Sequence, residues 1–153
     1  MPEQKPIPSA KLLRVVVGAT DPLELVARLE EERAPRTCAA FLRLLPFRNR
    51  LVQARWSGEA AWIPLGDLDL GLDFENHTSH PLPGQFLLYR GGYSEAEIFV
   101  PYGEALFSSK LGQLAGNHFL TVVEGQEHLK ELGRRVLWEG AQDILFETQT
   151  APS

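Results

Sequence analysis

Apolar and polar residues alternate along most of this chain, in short runs broken by glycine and proline, and that period of two predicts strands. Leu12 to Val17 is a β-branched run that reads as a core strand. From Arg50 onward the pattern is mostly strand. Leu51 to Ser57 and Ala60 to Leu65 hinge at Gly58, Gln85 to Tyr89 and Ala96 to Pro101 flank the Gly91-Gly92 turn, and Phe119 to Val123 and Ile144 to Thr148 complete the set. A helical period stands out once, in Ala34 to Leu45. Pro35 starts it, Pro46 ends it, and Cys38, Phe41, Leu42 and Leu45 fall at i, i+3, i+4 and i+7. A second short helix is expected near Gln126 to Leu132, stopped by Gly133.

Residues 22–32 fit two patterns. Asp21-Pro22-Leu23-Glu24 resembles a helix start, with Leu25, Val26 and Leu29 as an apolar stripe. Yet Leu25, Ala27 and Leu29 also alternate with Glu24, Arg28 and Glu30, which is strand period. Local rules lean to helix and leave the strand open. Many short strands, Gly/Pro turns and two short helices make the chain mainly β, a barrel or sandwich rather than a βαβ sheet.

Composition narrows the setting. At 153 residues, 44% hydrophobic and 23% charged, the chain is expected to form one globular domain over residues 10–149. Residues 1–9 carry three prolines and read as a flexible tail, and residues 150–153 as a frayed end. A net charge of −5 without a basic stripe argues against a nucleic-acid partner. Cys38 is the only cysteine, so no intrachain disulfide can form, as in a reducing compartment. It lies on the apolar stripe and reads as a packed thiol. No signal-peptide h-region and no run of ~20 apolar residues is visible, so the expectation is a cytoplasmic protein without a membrane partner. The oligomeric state, including a homo-oligomer, stays open.

The residues with chemistry to offer concentrate in two places. Phe74 to Tyr89 holds Glu75, Asn76, His77, Thr78, Ser79 and His80 ahead of a Pro-rich turn, and Gly116-Asn117-His118-Phe119 is a second polar knot. Arg55, on the expected strand, would share a face with Gln53 and Ser57 and could grip a carboxylate or amide carbonyl. His77 and His80, three apart before Pro81, face opposite ways if extended, which disfavours a metal pair. No metal and no cofactor is expected. Glu95 and Glu97 alternate with Ala96 and Ile98 and read as a solvent face. Trp56, Trp62 and Trp138 read as core or barrel-end packing. No Gly-x-Ser-x-Gly elbow or phosphate loop is present.

Several motifs carry a resemblance. AP-x-TC-x-x-F-x-x-LLP (34–46), Phe74-Glu75-Asn76 followed by His80 and Pro83-Gly84, and Gly116-Asn117-His118-Phe119 resemble segments of the cyclophilins. ARWSGEA (54–60), ENHTSHPLPG (75–84), LAGNHF (114–119) and LWEGAQ (137–142) more closely resemble an uncharacterised bacterial family of cyclophilin-like proteins of unknown function. The resemblance implies a cyclophilin-like closed antiparallel β-barrel with two short capping helices, and a hairpin at residues 12–32. It carries no catalytic assignment. The cyclophilin Phe-Met-x-Gln-Gly-Gly motif is absent, and Arg55 is only a loose positional counterpart of its arginine.

The reading that follows is a barrel that binds a small polar molecule, anionic or amide-bearing, through Arg55, Glu75, His77, His80, Asn117 and His118. The leading form is a binding or accessory module; the alternatives are a small-molecule enzyme using acid–base catalysis (hydrolase or isomerase) and a divergent prolyl isomerase.

Overall fold

The ambiguous segment is a strand. In the computed structural model, which describes residues 11–149, Leu23–Leu29 (β2) pairs antiparallel with Leu12–Val17 (β1) in the register Val15↔Leu25. Strand period buries Leu23, Leu25, Ala27 and Leu29 together, whereas the helical stripe would have buried fewer apolar groups. Asp21 adopts a left-handed φ of 52°, so Asp21-Pro22 makes the turn between strands and not a helix cap. The expected tail (1–9) and frayed end (150–153) lie outside the described residues.

The first helix, Pro35–Leu42 (α1), is shorter than the periodicity predicts. Its last turn tightens, with the Leu44 N–H donating to the Phe41 carbonyl, and the chain passes through a cis Leu45–Pro46 bond. The strand expected to run through Ser57 also stops early. Phe47–Gln53 (β3) gives way to a single 3-10 turn at Arg55–Ser57, and Gly58 restarts the chain as Gly58–Gly66 (β4). Gly58 has φ 99°, and a Cβ there would lie 2.7 Å from the Glu104 carbonyl oxygen. The remaining elements are His77–Thr78 (β5), Gln85–Tyr89 (β6), Ala96–Ala105 (β7), Ser108–Ser109 (β8), Gly112–Gln113 (β9), Gly116–Glu124 (β10), Leu129–Trp138 (α2) and Gln142–Thr148 (β11).

Eight strands close into a barrel in the order β2-β1-β11-β3-β4-β7-β6-β10, with β10 returning to β2. All of these pairs are antiparallel. Closure leaves no long free edge; only the two-residue β5 extends the sheet beside β10. The fold is therefore a cyclophilin-like barrel.

The helices sit at opposite mouths. Helix α1 precedes the start of β3, while α2 precedes the start of β11, at the other end of that antiparallel pair. Phe41 of α1 meets Phe47, Phe119 and Phe146 edge-on, with centroids 5.1 to 5.6 Å apart. Leu132 and Val136 of α2 join the same core.

Two further expectations are corrected here. Gly133 does not end α2; it lies inside it, because the Tyr102 ring of β7 packs flat against the helix where any side chain would sit. The Glu97 side of β7 is no solvent face. Phe107 and Leu114, in the segment around β8 and β9, fold over the outer wall of β4, β6 and β7 and build a second small core with Leu87, Tyr89 and Phe99. Glu97 is 6% exposed.

Candidate functional site

The six residues nominated from sequence divide between the two mouths of the barrel. Arg55 lies on the 3-10 turn after β3, at the α2 end, and β3 stands four strands round the barrel from β10. Because the strand ends at Gln53, Arg55 does not share a pleat face with Gln53 and Ser57 as the sequence predicts. It lines instead a cleft of about 370 Å³ between α2 and the β3–β4 turn.

Glu75 and Asn117 lie at the α1 end and bind protein groups. A Glu75 carboxylate oxygen accepts the Thr37 N–H at 2.5 Å, satisfying a first-turn donor of α1 that Ala34 cannot cap. Asn117, 4% exposed, donates to Thr37 Oγ1 (3.1 Å) and the Asp73 carbonyl (2.9 Å) and accepts the Glu75 N–H (3.1 Å). It sits on a strand, not in a loop, and straps α1 and residues 73–76 to β10. Asn117→Ala should lower unfolding free energy by about 2 kcal/mol, since several buried partners lose their bonds at once. Urea denaturation checks this, and an unchanged midpoint would contradict the strap.

His118 faces outward because β10 bulges between His118 and Leu120, turning both Phe119 and Leu120 inward. Its Nε2 lies 2.7 Å from Thr121 Oγ1, and that hydroxyl donates to Glu30 Oε2 at 2.6 Å. The hydroxyl has one proton, so Nε2 carries the proton of the first bond. Arg28 also reaches Glu30, at 2.9 Å. Burial lowers the His118 pKa, opposed by Glu30. Burial alone would raise the Glu30 carboxyl, but the bonds from Thr121 and Arg28 together hold it below its usual value. His77 and His80 are exposed; the His77 ring stacks on Phe74 at 4.4 Å, and the His80 N–H donates to Thr78 Oγ1. Among the described residues no group of three or more His, Cys, Asp or Glu side chains is placed to hold a metal ion.

The cleft around Arg55 has its own logic. Tyr102 forms its floor, and the phenol donates to Gln53 Oε1 at 2.8 Å. Burial raises the Tyr102 pKa, with Glu59 adding to the effect and the Gln53 bond opposing it, so it stays a neutral donor. Lys130 and Arg134 project from successive turns of α2. Arg134 is held by Glu131 (2.7 and 2.8 Å) and Glu139 (2.7 Å). Arg55 and Lys130 form no ion pair among the described residues. Trp138, expected in packing, is 76% exposed at the rim.

Sequence reading missed Lys130, Arg134 and Tyr102 as cleft residues. The available signal was the i,i+4 spacing of Lys130 and Arg134, hidden by ending the helix at Gly133. Cys38 behaves as expected: it is buried, and burial pushes its thiol up to about 12.

The family described as "Protein of unknown function (DUF3830)" matches residues 19–148. The chain belongs to this family. Among solved structures the DUF3830 chain is similar to one titled "Structure of McbB in complex with tryptophan", at a TM-score of 0.68 and 19% identity. That match covers 91% of this chain and 46% of McbB, so the chain spans about half of that protein's length. It is also similar to the hypothetical protein AF2241 from Archaeoglobus fulgidus, at a TM-score of 0.57 and 15% identity, covering 92% of this chain and 95% of the other. At these identities the DUF3830 chain shares their fold. No curated protein matches it. No helix among the described residues is long and apolar enough to cross a membrane.

Proposed function

We propose that this DUF3830 protein binds a small polar molecule bearing a carboxylate or an amide carbonyl in the cleft between α2 and the β3–β4 turn. One observation carries the reading: Arg55 and Lys130, which form no ion pair among the described residues, face one concave space that Glu59 also lines. Arg55 supplies a planar fork suited to a carboxylate, and Lys130 supplies a mobile point charge. The Gln53–Tyr102 pair offers polar atoms on the floor, and Trp138 offers an aromatic rim. The cleft contributes binding and orientation rather than an evident nucleophile, so the protein acts as a binding module.

Calorimetric titration with small mono- and dicarboxylates tests this. Binding should weaken with added salt, and Arg55→Ala should reduce affinity about tenfold, the scale of one charge-assisted hydrogen-bonding contact. Full affinity in Arg55→Ala, or no heat from any carboxylate, would overturn the reading.

A further inference from the structure

Beside the second small core lie two polar side chains with no hydrogen-bonding partner among the described residues. Glu97, on the outer face of β7, is 6% exposed and has no hydrogen-bonding partner among the described residues. On the neighbouring strand β4, the indole Nε1 of Trp62 is fully shielded and also lacks a partner. The register places them together: Pro64 pairs with Glu97 and Trp62 with Phe99, so Trp62 and Glu97 are diagonal neighbours on one face. Tyr89 of β6 stands directly opposite Glu97 on the other side. Buried polar groups are nearly always bonded, so the shielded Trp62 N–H, with the Glu97 carboxyl diagonal to it, marks a place where a partner is missing.

The chemistry of the missing partner follows from what the two groups can do. An indole N–H only donates, so the partner carries an acceptor. Burial, with Glu95 adding to it, pushes Glu97 up to about 8, so at neutral pH it is chiefly a carboxylic acid with one donor and one acceptor. The complement of a carboxylic acid is a group that accepts and donates side by side. A primary amide does both, its carbonyl taking the acid proton and its syn N–H bonding the acid carbonyl. An ammonium ion would leave the Trp62 N–H unsatisfied.

We infer that the outer face of β4 and β7 at Trp62 and Glu97 is a second binding site, separate from the Arg55 cleft, and that it recognises an amide group. The turn at residues 90–95 contains Gly91 and Gly92, both at positive φ. It is joined to the segment around β8 and β9 by one side-chain bond, from Tyr93 Oη to the Leu111 carbonyl at 3.0 Å. The Tyr89 hydroxyl beneath accepts from the Tyr93 and Ser94 N–H groups.

The test uses acetamide, a primary amide, as probe and the indole N–H resonances of the three tryptophans as readout. Trp62 is assigned by the resonance lost in Trp62→Phe. In the native protein that resonance should move saturably as the probe is raised to about 100 mM, the weak range expected of so small a ligand. Glu97→Gln keeps a donor and an acceptor and should hold affinity within about threefold, while Glu97→Leu should lower it about tenfold or more. Arg55→Ala should leave this titration unchanged even where it abolishes carboxylate binding in the cleft. A Trp62 resonance that stays still, that shifts equally in Glu97→Leu, or that responds to methylammonium instead of the amide would overturn the inference.

Discussion

Urea unfolding should become easier as pH rises from 5 to 8, and Glu97→Gln should remove most of that slope. The Glu97 carboxyl is held protonated in the fold, at about 8 against an ordinary 4.5. Between those values the folded chain keeps a proton that the unfolded chain releases, so each step up in pH favours unfolding. The contribution is fully present below 4.5 and is lost by the time pH passes about 8. A shift of that size has a ceiling of roughly 4–5 kcal/mol, of which relaxation of the cover would return a part. Nothing nearby compensates. Glu95 repels the charged form, Tyr89 and Pro64 on the flanking strands supply no cation, and Arg90 at the start of the adjacent turn is engaged with the Leu72 carbonyl and Asp73. Denaturation midpoints at the two pH values, compared with those of Glu97→Gln, decide the matter. Parallel slopes in the two proteins would mean that Glu97 ionises as freely as in the open chain.

Gly133→Ala should destabilise the protein by about 3 kcal/mol although alanine is the better helix former. The added Cβ would lie 2.9 Å from Tyr102 Cγ and closer still to Cδ1 and Cε1 of the same ring. Overpacking of this kind outweighs the ~1 kcal/mol that alanine gains over glycine in a helix. The ring can escape only by swinging away from α2, which breaks the Tyr102–Gln53 bond and fills the cleft. The sign should reverse when the ring is absent. In a Tyr102→Ala background, Gly133→Ala should be neutral or stabilising by up to ~1 kcal/mol, because only the helical preference remains. Urea midpoints across the four proteins form the cycle, and a loss of equal size in both backgrounds would show that Tyr102 is not the obstacle.

The barrel was legible wherever one short segment decides its own fate. Gln85 to Tyr89 is read and observed with the same ends, because Pro83-Gly84 and the Gly91-Gly92 turn fence it on both sides. Residues 22–32 were undecidable locally. Asp21-Pro22 has the composition of both a helix cap and a turn, and the strand wins because β2 pairs on two sides to close the ring. The site was harder for the same physical reason. Glu97 alternates with apolar neighbours as an exposed residue would, yet it is buried on the wall of the barrel where the distant Phe107 and Leu114 join Phe99 and Tyr89 in the second core. The β10 bulge and the trans-chain bond from Thr37 to Glu75 likewise depend on partners far away in sequence.

The ring closes with its first and last strands side by side: β1 pairs with β11, and the Gln149 N–H donates to the Leu12 carbonyl at 3.0 Å. Both ends of the described chain therefore leave the barrel at one spot. Such a unit can be spliced into a surface loop of a host protein, or have its ends joined and new ones opened at Gly91-Gly92, without any strand changing its neighbours.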